Sequence, residues 1–288
     1  MVEHYEFRLL GPIEADIDSS PANLGHTRQK AVLAALLVDP GARVGDSEMC
    51  HRIWNDATPR TAPQTLQSYV SRLRTAIAPS GARIERICGG YRWSGDPHAV
   101  DLHRFRTLAA RARRDPAGRY ASAEAALELW RGEPFGGIDA HWFWAQRSSL
   151  HREYHELWLD KNDGLLARRL HHRLIPELVA ATEDHPFDER LSRQYMTALY
   201  LSGRQNEAFG EYRRLRDVLR DELGTGPQES TVRLHRSLLR GELPPARGRR
   251  RRRGVRSLPE TRRAGRSGRA MAHCTRVVLK RQRRRAAW

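Results

Sequence analysis

The spacing of hydrophobic positions changes period twice within the first hundred residues. Tyr5, Phe7 and Leu9 alternate with polar neighbours, Gly11-Pro12 interrupts, and Ile13, Ala15 and Ile17 resume the alternation. A period of two on either side of a turn predicts two half-buried strands joined as a hairpin. Over 28–38 the pattern becomes helical, with Val32, Leu33, Leu36 and Leu37 on one side, and Asp39-Pro40-Gly41 ends it because proline cannot continue a helix. Met49, Cys50, Ile53 and Trp54 repeat the i, i+1, i+4, i+5 spacing in a short second helix, with Asp46 placed to cap its start. In a third helix Leu66, Val70, Leu73 and Ile77 form one apolar stripe, with Tyr69 beside it. Thr61 can cap that helix, and Pro63 falls in its first turn, where a missing N–H is no loss. The period then returns to that of strands: "ARIERICGGYRWSG" at 82–95 carries β-branched and aromatic residues around Gly89-Gly90, the signature of a second hairpin. Strands, three helices and a closing hairpin are the layout of a winged helix-turn-helix.

Residues 97–243 read differently. They are rich in Ala, Leu, Glu and Arg, poor in β-branched residues, and broken by turn signals at "DPAG", "GEPFGG", "HPFD", "SGR" and "GTGP", which predicts helix throughout. "ELVAATEDH" at 177–185 and "EYRRLRDVL" at 211–219 are weakly similar at an offset of 34 residues, the period of tetratricopeptide helix pairs. Such pairs stack because neither buries its apolar face alone, and the concave side is usually a protein-binding surface.

The polar side of the third helix carries the chemistry. "RTAPQTLQSYVSRLRTAI" at 60–77 contains no carboxylate, and its outward stripes are Thr65, Ser68, Arg72 and Gln67, Ser71, Arg74. Short hydrogen-bonding groups beside guanidinium forks suit a helix that reads bases; the plain alternative is an ordinary solvated face. The surrounding stretch from Ala57 to Ile84 holds Arg60, Arg72, Arg74 and Arg83 and no Asp or Glu.

The formal net charge of +17 on 288 residues adds less than it suggests. Residues 244–288 hold 17 Lys and Arg against Glu260 alone, which leaves 34 basic and 33 acidic residues in 1–243. The local positive surface around the third helix survives that subtraction. The Arg-rich tail has almost no apolar periodicity and is expected to be disordered; it either adds salt-sensitive, sequence-blind affinity for DNA or is an extension without a role.

Other chemistries find little support. Cys50, Cys88 and Cys274 are isolated, with neither disulfide nor zinc spacing. His151 and His155 are one helical turn apart, but Arg152 stands where a zincin needs Glu, and the adjacent His171 and His172 point to different sides of a helix. No phosphate-binding loop or nucleophile elbow occurs, so neither a catalytic residue, a metal nor a cofactor is expected. "AVLAALLV" at 31–38 is too short to span a membrane, and the first ten residues lack the features of a signal peptide, so a cytoplasmic location without membrane association is expected.

"RTAPQTLQSYVSRLRTAI" with "IERICGGYRW" resembles the recognition helix and wing of OmpR-type DNA-binding domains, and "EFRLLGPIEA" and "RQKAVLAALLV" extend the similarity. "VDLHRFRTLAARAR", "AALELWRGEPF" and the stretch from "VAATEDHPFDERLSRQYMTALYL" onward resemble the bacterial transcriptional activator domain. The combination, over roughly residues 5–243, resembles the antibiotic regulatory proteins of actinobacteria, the SARP family. The resemblance implies a mainly α chain: an OmpR-type winged helix over 1–96, an all-α tetratricopeptide-like activator domain over 97–243, and the tail over 244–288. It implies an activator of a secondary-metabolite gene cluster that binds promoter direct repeats of double-stranded DNA, as a homodimer on DNA, and recruits RNA polymerase holoenzyme. No receiver domain of a phosphorelay fits in the roughly 25 residues before the first helix. Carried over residue by residue, it gives base readout to Arg72 and phosphate contact to Arg60 and Arg74, and either duty to Thr65, Gln67, Ser68 and Ser71. Ser71 stands where many OmpR-type relatives carry a second basic residue. Arg86 and Arg92 would bring the wing to the minor groove while Tyr91 and Trp93 pack it on the core. Asn55, Asp56 and Thr58 would touch polymerase. The rival reading is a helical adaptor whose winged helix does not bind DNA.

Overall fold

Tyr5–Arg8 (β1) and Glu14–Ile17 (β2) pair antiparallel, with Phe7 opposite Ala15, so the expected hairpin forms. A two-residue strand that the alternation does not reveal, Ser20–Pro21 (β3), extends the sheet on the other edge of β2. The computed structural model describes residues 5–55, 57–115 and 118–242; Asp56 and the Arg-rich tail lie outside the described residues.

Three helices follow: Thr27–Leu37 (α1), Asp46–Trp54 (α2) and Ala62–Ile77 (α3). α1 is buried over most of its surface, from Ala31 to Leu37, and both α2 and α3 pack against it. Met49, Cys50, Ile53 and Trp54 are the buried residues of α2, and Leu66, Val70, Leu73 and Ile77 line the buried side of α3, joined at its start by Ala62. Two caps differ from expectation. Gly45, not Asp46, is the N-cap of α2, because Asp46 enters the first turn and turns its carboxylate toward Arg86. Thr61 occupies the N-cap of α3 without a side-chain bond; instead its carbonyl accepts both the N–H and the hydroxyl of Thr65.

The second hairpin, Arg83–Ile87 (β5) and Gly90–Ser94 (β6), is joined by Val44–Gly45 (β4) in a sheet ordered β4-β6-β5. β4 is too short to show in a periodicity, yet it fixes the wing to the helices. Gly90 permits this approach: a Cβ there would lie 2.4 Å from the Val44 carbonyl oxygen. Tyr91 and Trp93 are buried, so the wing packs on the core through those two rings.

Beyond the wing the described elements are helical: Asp101–Arg114 (α4), Arg119–Glu128 (α5), His141–Ala167 (α6), Ile175–Asp184 (α7), Glu189–Leu201 (α8), Gln205–Leu223 (α9) and Glu229–Leu239 (α10), with short 3-10 turns. His171 and His172 lie in one such turn, His171–Arg173, rather than on an α-helix. The fold is thus mainly α, an α+β winged helix-turn-helix followed by an all-helical region, as the pattern predicts.

The chain forms two compact units. Of the described residues, one takes those up to Arg111 together with Ala125–His155; the other takes those of Ala112–Glu124 and those from Glu156 to Glu242. Within the first, Asp101 at the start of α4 accepts the N–H groups of Leu9 (2.7 Å) and Leu10 (3.0 Å), and the loop after α5 returns through Arg131 N–H to Leu10 and Phe135 N–H to Leu9. These bonds saturate the end of β1, whose peptide groups would otherwise be buried without partners. Within the second, α7 packs on α8, and α8 packs on α9 and α10. Arg190 of α8 gathers Asp160 (2.6 Å), Asp163 (2.7 Å) and Glu156 (3.2 Å) from α6.

Candidate nucleic-acid interface

α3 turns its carboxylate-free side outward. Gln67, Ser68, Ser71, Arg72 and Arg74 are exposed and Thr65 is half-buried, opposite the stripe of Leu66, Val70 and Leu73. The hydroxyls of Thr65 and Ser68 donate to the carbonyls of Thr61 (2.9 Å) and Gln64 (3.1 Å). Their protons are thereby engaged within the helix, and each hydroxyl oxygen keeps its capacity to accept.

The arginines divide by partner. Arg72 and Arg60 are exposed and make no hydrogen bond or ion pair among the described residues. Arg74 also lies at the surface, but its Nε donates to the Ile84 carbonyl at 2.7 Å, which ties the end of α3 to the edge strand of the wing. Its terminal nitrogens have no hydrogen-bond or ion-pair partner among the described residues.

Two of the three wing arginines are held by carboxylates. Arg86 forms a two-pronged pair with Asp46, at 2.5 and 2.6 Å, and lies over the Tyr91 ring at 4.6 Å. Arg92 donates to Glu85, its cross-strand neighbour, at 2.6 and 3.1 Å. Both pairs are solvent-accessible, where an ion pair contributes only about 0–1 kcal/mol, so a phosphate could displace the carboxylate at little cost. Arg83, at the start of β5, is exposed and unpaired among the described residues. Its place in the carboxylate-free stretch was the only signal for it in the sequence. The Arg86–Asp46 pair was hidden, since nothing local connects residues forty apart.

The loop between α2 and α3 is tethered. Asn55 Oδ1 accepts the N–H of His141, the first residue of α6, at 2.9 Å, and the Thr58 hydroxyl donates to the Asn55 carbonyl at 3.0 Å. The neighbouring Arg52 guanidinium lies 4.4 Å from the centre of the Trp142 ring. Asp56 lies outside the described residues.

Elsewhere, Asp101 is nearly inaccessible, and burial pushes its carboxyl up to about 6 against the opposing pull of the Leu9 and Leu10 N–H groups and Arg131. Among the described residues there is no group of three His, Cys, Asp or Glu able to hold a metal ion, and no helix long and apolar enough to cross a membrane.

Comparison with known proteins gives this geometry a context. Residues 100–239 match the bacterial transcriptional activator domain. The regulatory protein AfsR of Streptomyces coelicolor is 34% identical over 242 residues, which is 82% of this chain but 24% of AfsR. The transcriptional regulatory protein MoaR1 of Mycobacterium tuberculosis is 30% identical, over 83% of this chain and 80% of MoaR1. The solved structure of Mycobacterium tuberculosis EmbR in complex with a low-affinity phosphopeptide superposes with a TM-score of 0.76 at 28% identity, covering 96% of this chain and 70% of EmbR. A winged helix followed by a bacterial transcriptional activator domain defines a transcriptional regulator. The chain belongs to the SARP family of such regulators. It spans about a quarter of the length of AfsR.

Proposed function

We propose that this chain is a sequence-specific, DNA-binding transcriptional activator of a secondary-metabolite gene cluster, working in the cytoplasm without catalysis. Residues 1–96 act as an OmpR-type DNA-binding domain, and 97–243 as the activator domain of tetratricopeptide-like helix pairs. One observation carries the reading: a helix whose exposed side has no carboxylate, with Arg72 and Arg60 unpaired, stands beside a β-hairpin bearing Arg86 and Arg92. α3 enters the major groove. Arg72 makes the base contact, where a bidentate pair with guanine is worth about 1–3 kcal/mol of discrimination, and Arg60, Arg74 and the wing arginines engage phosphates. Gln67 and Ser71 add contacts of either kind. One module reads few bases, so two copies bind direct repeats as a homodimer on the duplex. Asn55, Asp56 and Thr58 lie on the loop that meets RNA polymerase.

Mobility shift and footprinting on the promoter regions of neighbouring biosynthetic genes test this. A protected pair of repeats, lost in Arg72→Ala, is expected. The absence of any promoter-specific retardation by a folded protein would favour a helical adaptor instead.

A further inference from the structure

The second compact unit contains another stretch without a carboxylate. From Gly164 to Pro176 there is no Asp or Glu, while Arg168, Arg169, His172 and Arg173 are all exposed. None of the three arginines has an ion pair among the described residues, whereas Arg204 before α9 and Arg214, Arg216 and Arg220 on it, though not Arg213, each meet a nearby Glu or Asp. The Arg168 guanidinium lies 4.7 Å from the Tyr120 ring centre, and Arg168 and Arg173 both act electrostatically on the Tyr120 hydroxyl. The Tyr120 hydroxyl itself donates to the Glu124 carboxylate at 2.6 Å.

The backbone adds an independent sign. Arg169 ends α6 with φ +64°, the left-handed conformation for which glycine is the usual choice. Arginine rather than glycine at such a position is a local conformational cost that a contact made by the side chain would offset. A favourable interaction with the negative end of the α6 dipole accounts for Arg168, the residue after the helix, but not for Arg173, which lies beyond the reach of that end.

We propose that Arg168, Arg169 and Arg173 form a second contact surface for the sugar-phosphate backbone of duplex DNA, outside the recognition helix and blind to sequence. The inference rests on the DNA-binding reading above. A nucleic-acid backbone fits better than an acidic protein because the stretch exposes no large apolar side chain: Leu165 and Leu174 are buried. Protein interfaces are anchored by such groups, and phosphates require only charge.

The test is the salt dependence of binding by the full chain to a mixed-sequence duplex that lacks the operator. The Arg168→Gln, Arg169→Gly, Arg173→Gln variant is expected to bind about tenfold or more weakly, with the slope of log affinity against log salt shallower by about 3, near 0.9 for each lost phosphate contact. The Arg-rich tail is common to both proteins and cancels in the difference. Arg169→Gly alone should leave the thermal midpoint unchanged or raised while weakening binding, which separates contact from folding; Arg173→Gln provides the same control if the triple variant does not fold. Replacing all three by lysine should restore most of the affinity. An unchanged slope in a wild-type protein that does bind DNA would overturn this surface alone, and so would a loss confined to polyglutamate binding. Failure of the wild type to bind any duplex would remove the DNA-binding reading with it.

Discussion

The Arg86 guanidinium and the Asp46 carboxylate meet through two parallel bonds of 2.5 and 2.6 Å, joining the wing to the first turn of α2. The carboxylate that could have capped α2 instead neutralises an arginine of the hairpin. Asp46→Asn should therefore leave stability within about 1 kcal/mol, as for other accessible ion pairs, and release a positive charge. DNA affinity should rise, and its salt dependence should steepen by about one ion. Fluorescence titration across a salt series reads both effects.

Arg72 provides the complementary case, since it has no internal partner to lose. Arg72→Ala should lower affinity for the native repeats by about 1–3 kcal/mol, or roughly 5–150-fold, and change mixed-sequence binding far less. Paired titrations with the two duplexes measure that ratio, and an unshifted thermal midpoint shows that the fold is intact.

Asp101 predicts a pH dependence with a definite sign. Its folded pKa of about 6 lies above the ordinary 3.8, so between these values the fold keeps a proton that the unfolded chain has released. The contribution of this group to stability is fully present below about pH 4 and falls as pH rises to 6, by up to about 3 kcal/mol. Asp101→Asn removes the titration. The stability difference between wild type and variant, from urea melts, should drift toward the variant over that window and be flat above it.

Asn55 serves the N-terminus of α6, where its side chain takes the place of a capping group for His141. Asn55→Ala should cost about 1 kcal/mol, the usual value for a lost cap, and Asn55→Asp should restore the bond with a charge favoured at a helix start. Thermal unfolding distinguishes the two variants. A transcription assay run in parallel separates loss of the tether from loss of a polymerase contact.

Elements with a strong period were legible from the chain alone. The stripe of Leu66, Val70, Leu73 and Ile77 marks α3 because four apolar side chains at helical spacing have one way to be buried together. β3 and β4 were not legible, because two residues cannot show an alternation and both are defined by distant partners. The caps escape the sequence for a related reason: Asp46 and Thr61 have the right chemistry in the right place, but Arg86 lies forty residues further on and Thr65 draws on the Thr61 backbone. The outward face of α3 could be read from spacing. Which arginines are already occupied could not, since Arg74 of α3 and Arg86 and Arg92 of the hairpin are engaged by groups that only the folded hairpin brings near.

The bond from Arg74 to the Ile84 carbonyl reaches beyond this molecule. β5 is the outermost strand of its sheet, and an uncovered row of peptide groups there is a template on which a further chain can assemble. A charged side chain bonded to that margin discourages edge-to-edge stacking of one molecule on the next. Substituting Arg74 would put colloidal behaviour at risk, apart from any effect on the proposed contact with DNA.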